Sequence, residues 1–130
     1  MQTIEKERGE FSISELASEF DVTPRAIRFY EDHGLLAPKR AGQRRIYSAR
    51  DRTRLKLTLR GKRLGLTLSE IRELIDMYES GRDERPQLAR FLAVLESHRT
   101  SLTQQRTDIE AQLAELQLFE KKIRKQLKRS

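Results

Sequence analysis

Arg25 and Arg28 stand one helical turn apart and are followed at once by Phe29 and Tyr30; Arg40, Arg44 and Arg45 come shortly after. Guanidinium groups are planar fork donors. Each can grip a guanine edge through two hydrogen bonds, worth about 1–3 kcal/mol of discrimination per good pair, or hold a backbone phosphate. Between Val22 and Arg63 thirteen Lys and Arg stand against three acids (Glu31, Asp32 and Asp51), a local charge of +10 in a chain whose net charge is +7. The remainder is therefore net −3. Cations gathered in one segment are the electrostatic footprint of a nucleic-acid binder. The plain alternative is a solvated charged face, since most charge runs are no more than that.

Other chemistries have little to work with. The chain has no cysteine, which removes disulfides, thiolate metal sites and cysteine nucleophiles. Its two histidines, His33 and His98, are far apart and lack companions at metal-ligand spacing. His33 suits the negative end of a helix dipole, and His98 neighbours an apolar seam. No Gly-rich phosphate loop, nucleophile elbow or carboxylate pair stands out. The expectation is a protein that is not an enzyme and carries no metal or cofactor. Residues 1–10 are charged and read as a loose leader, not a signal peptide. No apolar run nears the roughly 20 residues of a membrane span, so a cytoplasmic location without membrane contact is expected.

The basic residues need elements to position them. Ser12 and Glu15 form a capping-box pattern that opens a short helix at Ile13–Phe20. Three residues later Thr23 caps and Pro24 starts a second helix, running to about His33 and stopped by Gly34. Two helices joined so tightly describe a helix-turn-helix, the second being the recognition element. At 100° per residue Arg25, Arg28, Phe29 and Asp32 share an outward stripe, while Ile27 and Tyr30 face the core. One aromatic closes that core, Tyr30 by phase, with its hydroxyl in reach of a phosphate.

Leu35 to Tyr47 reads as a hairpin with a basic tip at Lys39-Arg40-Ala41-Gly42, returning through Arg44, Arg45, Ile46 and Tyr47. Arg40, Arg44 and Arg45 there suit phosphates or an adjacent minor groove. Ser48 with Asp51 starts a third helix to about Leu64, on which Lys62 is a further phosphate contact. Thr67 with Glu70 starts a fourth, ending at Ser80-Gly81. The expected fold is mainly α: a winged helix-turn-helix DNA-binding domain over residues 11–81, followed by a long coiled-coil dimerisation helix over residues 86–128.

That last helix opens at Pro86 after the hydrophilic break of residues 81–85. Its seam steps by four and three through Leu88, Leu92, Leu95, Arg99, Leu102, Arg106, Ile109, Leu113, Leu116, Glu120, Ile123 and Leu127. Forty-odd helical residues span about 60 Å, too long to bury against so small a domain, so the stripe calls for a second copy. In a parallel pair Arg99 and Arg106 would each meet its own copy. An antiparallel pair can bring them to acids such as Glu110 or Glu115, and antiparallel is the expected arrangement. Leu88, Leu92, Leu95, Leu102, Ile109, Leu113, Leu116 and Ile123 are the expected dimer contacts.

With these residues assembled, the chain resembles the MerR family of bacterial transcription regulators. The resemblance lies in residues 13–17 (Ile-Ser-Glu-Leu-Ala), residues 23–31 (Thr-Pro-Arg-Ala-Ile-Arg-Phe-Tyr-Glu) leading into Gly34-Leu35-Leu36, residues 45–47 (Arg-Ile-Tyr), residues 65–71 and the terminal helix. It implies a winged-helix dimer joined by an antiparallel coiled coil, binding a pseudo-palindromic promoter operator and acting on transcription by RNA polymerase through bending and untwisting the DNA. It also implies Arg25, Arg28 and Tyr30 as recognition-helix contacts, Arg45 and Tyr47 as wing contacts, and Lys62 as a phosphate contact. The family's wing runs Gly-Tyr-Arg-x-Tyr, whereas here the glycine has moved to Gly42 and Gln43 and Arg44 precede Arg45. The metal-sensing branch has cysteines around the dimer helix, and this chain has none. The expectation is a short member of the family, with no effector domain after the helix. Among short members the chain looks most like regulators of leucine/isovalerate and fatty-acid catabolism, which would imply an acyl-CoA-type effector. Two other readings stand beside a regulator: an architectural DNA-bending protein without an effector, and a coiled-coil module for another protein.

Overall fold

The computed structural model describes residues 9–81 and 85–129. The expected leader (residues 1–8 of it) and residues 82–84 of the hydrophilic break lie outside the described residues. The chain divides into two units, Met1–Asp83 and Glu84–Ser130. The first contains strand β1 (Glu10–Phe11), helices α1 (Ile13–Phe20) and α2 (Pro24–Asp32), strands β2 (Lys39–Ala41) and β3 (Arg44–Ser48), and helices α3 (Ala49–Arg63) and α4 (Leu68–Ser80). The second is one helix, α5 (Arg85–Arg129). This is a winged helix-turn-helix followed by a long C-terminal helix.

The helix starts are set by local chemistry. Reciprocal capping boxes form at Ser12/Glu15, Ser48/Asp51 and Thr67/Glu70, each satisfying two amides that the first turn leaves open. The turn between α1 and α2 is made by Asp21, which takes a left-handed conformation at φ 54°. Asp tolerates that region better than most residues do. Val22 N–H then donates back to the Ala17 carbonyl at 3.0 Å, closing α1 and aiming the chain into α2.

The wing is an antiparallel sheet of order β1-β3-β2, with Arg40 opposite Arg45, Ala41 opposite Arg44 and Phe11 opposite Tyr47. Two expectations are corrected here. Lys39 to Ala41 are strand, leaving Gly42, at φ 65°, and Gln43 as the tip. Glu10 and Phe11 belong to the sheet, pairing with Ser48 and Tyr47 of β3, and both Phe11 and Tyr47 are buried.

Leu16, Ile27, Leu35, Tyr47, Leu55, Ile71 and Ile75 are fully buried and form the core of the first unit. Helices α3 and α4 meet so closely at Gly61 that an added Cβ would lie 2.6 Å from Ile71 Cγ1. Gly61→Ala gains helix propensity of about 1 kcal/mol. Overpacking against a buried Ile costs about 1–3 kcal/mol, so a net loss is expected in urea denaturation. A stabilised variant would show that Ile71 yields freely.

Candidate nucleic-acid interface

Helix α2 is the best placed element for reading a nucleic acid. Thr23 Oγ1 accepts from Ala26 N–H at 3.1 Å, and Pro24 sits at the first helical position. On the nine-residue helix that follows, Ile27 and Tyr30 are buried, whereas Arg25, Arg28, Phe29 and Asp32 are exposed. The sheer size of Phe29 makes its exposure, 46%, informative. It is held rather than loose: its ring packs edge-on to Tyr30 at 5.6 Å and against His33 at 4.2 Å. His33 Nδ1 lies 2.9 Å from the Phe29 carbonyl, so that nitrogen carries the proton and donates. Tyr30 has its ring buried, which raises its hydroxyl pKa by desolvation. Its oxygen is not sealed from solvent and takes no protein partner, leaving it able to donate outward.

The wing approaches α2 through one carboxylate. Glu31 Oε2 accepts from Arg45 Nε at 2.9 Å and from the Tyr47 hydroxyl at 3.2 Å, while Glu31 Oε1 lies 3.7 Å from Arg40 Nη2. Tyr47 is fully buried, and burial followed by the Glu31 charge pushes its pKa well above the ordinary tyrosine value. Tyr47, expected as a wing contact, therefore sits inside the core with its hydroxyl on Glu31. Arg45, bonded to the same carboxylate, has a side chain only 24% exposed. Arg40 and Arg44 are exposed on the wing, as is Lys62 on α3. Among the described residues, Arg25, Arg28, Arg44 and Lys62 have no ion-pair partner.

Not every cation of the basic segment is available. Arg50 and Arg54 converge on Glu79, with Arg50 Nε at 2.7 Å and Arg54 Nη1 at 2.8 Å from its oxygens. The hydrogen bond from Arg50 is the main reason that the Glu79 carboxyl titrates below its ordinary range. Arg54 Nε also donates to the Leu35 carbonyl at 2.6 Å, pinning the chain just before the wing. Arg52 pairs with Glu19 and lays its guanidinium over the rings of Phe11 and Phe20. These three arginines hold the fold, a division of labour that the charge count alone conceals. Lys62 instead rims a surface groove of about 480 Å³ beside the α1–α2 turn, with Lys56, Arg60 and Arg63 around an apolar floor of Phe20, Val22 and Leu59.

Asp51 is the other residue with more than its expected part. It is 4% exposed, and beyond capping α3 its Oδ1 accepts from Ala37 N–H at 3.0 Å. Its Oδ2 accepts from the Ser48 amide at 3.0 Å and hydroxyl at 3.1 Å. One buried carboxylate thereby ties the entry of the wing to its exit.

Among the described residues no cluster of three His, Asp or Glu could hold a metal ion, and no helix is long and apolar enough to cross a membrane. In α5 the seam residues Leu88, Leu92, Leu95, Leu102, Ile109, Leu113, Leu116, Ile123 and Leu127 are all exposed. Arg106 lies 4.0 Å from Glu110 one turn on, so the seam carries its own counter-charge.

A helix-turn-helix whose second helix shows an unpaired Arg-Arg-aromatic stripe, flanked by a basic wing, defines a class of DNA-binding domain. Comparison with known proteins gives the family. Residues 11–78 match the MerR HTH family regulatory protein model, and residues 52–119 match a second one described as MerR, DNA binding. The chain belongs to the MerR family of helix-turn-helix transcriptional regulators. The HTH-type transcriptional regulator HmrR of Rhizobium leguminosarum bv. viciae is 36% identical over 69 residues, covering 52% of this chain and 54% of that protein. The chain thus spans about half the length of this curated relative. A MerR-family regulator from Bacillus cereus has a similar crystal structure, with a TM-score of 0.66 and 32% identity over 81% of this chain and 75% of that one. The crystal structure of HiNmlR, a MerR-family regulator lacking the sensor domain and bound to promoter DNA, shares the fold at a TM-score of 0.58 and 21% identity, covering 80% and 78%.

Proposed function

We propose that two copies of this chain, joined antiparallel through residues 86–128, present two domains of residues 11–81 to a pseudo-palindromic promoter site. Arg25 and Arg28 read base edges there, with Phe29 against them. Arg40, Arg44, Arg45, Lys62 and the Tyr30 hydroxyl hold phosphates or the neighbouring minor groove. The observation that carries this reading is the exposed, unpaired Arg25–Arg28–Phe29 stripe on a helix whose opposite side, Ile27 and Tyr30, is locked into the core. Phosphate contacts fix the register of the helix on the duplex, and base contacts give it sequence. The dimer acts by distorting the promoter for RNA polymerase in the cytoplasm. Its effector, on the resemblance to the short catabolic regulators alone, is an acyl-CoA-type metabolite.

Genome-wide footprinting tests the function. A few promoter-centred, two-fold sites support regulation, while diffuse occupancy supports an architectural DNA-bending protein without an effector. At a mapped site, Arg28→Ala is expected to lose about 1–3 kcal/mol, roughly 5- to 150-fold in affinity, with specificity relaxed at one base pair in each half-site. An equal loss on random DNA reduces Arg28 to a phosphate contact. Transcription in vitro with purified polymerase, with and without acyl-CoA, tests the two partners separately.

A further inference from the structure

Glu31 stands between the recognition helix and the wing, and among the described residues its side chain bonds to residues of the wing strands. Its side chain is 17% exposed and meets Arg45 Nε, the Tyr47 hydroxyl and Arg40 Nη2. The three contacts are unequal. Arg45 is 24% exposed and tightly bonded, while Arg40 is 52% exposed and 0.8 Å farther from its oxygen, at 3.7 Å against 2.9 Å. A carboxylate here serves two ends. It fixes the wing to α2 through Arg45 and the buried Tyr47, and it places a negative charge beside two of the wing arginines.

We infer that Glu31 is a positioning residue that sets DNA specificity by restraining the wing arginines. It holds Arg45 in place throughout and surrenders Arg40 only when a promoter docked on α2 brings a phosphate within reach. On random DNA, where α2 finds no complementary bases, Arg40 stays with Glu31 and adds little to the affinity. The ground is the asymmetry just described: the looser, more exposed ion pair is the one that a competing phosphate can open, because an exposed pair is weak. This inference rests on the DNA-binding reading above.

The test compares the full-length chain with its Glu31→Gln variant on a mapped promoter site and on random duplex, across a salt series. The Gln side chain keeps an acceptor for the Tyr47 hydroxyl but gives up the charge. Its binding to random DNA should tighten several-fold and its log–log salt slope should steepen by about 1, the contribution of one further phosphate contact. The ratio of promoter to random affinity should fall about tenfold. Adding Arg40→Gln to that variant should return the slope toward the wild-type value. Glu31→Asp, which retains the charge, should keep a wild-type slope, and a slope like that of the Gln variant overturns the charge argument. A Gln variant that weakens on both DNAs alike, or changes on neither, overturns the inference as well. Wild-type protein that cannot tell promoter from random DNA defeats the DNA reading itself, a different failure. Should the Gln variant melt too early, NMR of the Arg Nε–H groups in wild-type protein decides. The Arg40 signal should move with promoter and stay with random DNA, whereas equal movement with both sinks the proposal.

Discussion

Leu102→Asp combined with Ile109→Asp is expected to abolish dimerisation and to lower promoter affinity by about 10²–10⁴-fold, the gain that linking two sites supplies. Helix α5 has 45 residues, and Leu88, Leu92, Leu95, Leu102, Ile109, Leu113, Leu116 and Ile123 are all exposed along it. Fully burying one such side chain is worth about 1.5–3 kcal/mol, so a paired seam outweighs the cost of association. The double variant places four carboxylates in that seam, two from each copy. At a few kcal/mol for each buried, unpaired charge the pair does not form. Sedimentation and DNA titration check both halves of the expectation. A variant that remains dimeric would move the interface off this seam. Orientation can be read on the same chain, because it has no cysteine of its own. If Arg106 faces Ile109 of the partner subunit, then Leu102 faces Leu113 of the partner subunit, and each Arg106 lies beside both copies of Glu110. Cysteines placed singly at Leu102 or Leu113 should then cross-link only when the two variants are mixed. A parallel pair would cross-link each variant alone.

What the sequence made legible is mainly what neighbours in sequence do to each other. The caps at Ser12, Thr23, Ser48 and Thr67 act within a single turn, so residue type and spacing suffice to place α1, α2, α3 and α4. The face of α2 follows from helical phase, and Ile27 and Tyr30 lie inside as that phase requires. Contacts between residues distant along the chain were not legible. Glu31 reads as one of three acids in a basic segment, yet its hydrogen-bond partners Arg45 and Tyr47 are 14 and 16 residues away. Asp51 reads as a helix cap, and its second role depends on Ala37, also 14 residues away. Strand β1 is two residues long, too short for any alternation to show, and exists because β3 offers Phe11 a partner. The burial of Tyr47 was hidden for the same reason. Its place in a motif suggested a surface role, but the β1–β3 pairing that buries it has no signature in the motif.

The second large effect is expected at Asp51. Asp51→Ala should destabilise the first unit by about 2–4 kcal/mol and weaken DNA binding through the wing. The carboxylate accepts from two backbone amides, Ala37 and Ser48, and from the Ser48 hydroxyl, while itself nearly buried. An unsatisfied buried donor costs about 1–3 kcal/mol, and two amides lose their acceptor at once. The hydroxyl can turn elsewhere and part of the site is within reach of water, which keeps the total below the simple maximum. For a domain of this size each kcal/mol lowers Tm by about 4–8 °C, so thermal unfolding should shift by about 8 °C or more. Asp51→Asn separates geometry from acceptor count. Its one carbonyl oxygen can serve Ala37, but its amide group then meets the Ser48 donors, so the loss should be intermediate. Binding tells the two carboxylates apart. Glu31 holds the wing to the recognition helix, whereas Asp51 closes the wing at its base, so the Ala variant should lose promoter and random affinity together. A stable Asp51→Ala protein with normal promoter affinity would mean that the wing holds its place without its base, leaving the β1–β3 pairing and Glu31 sufficient to position it.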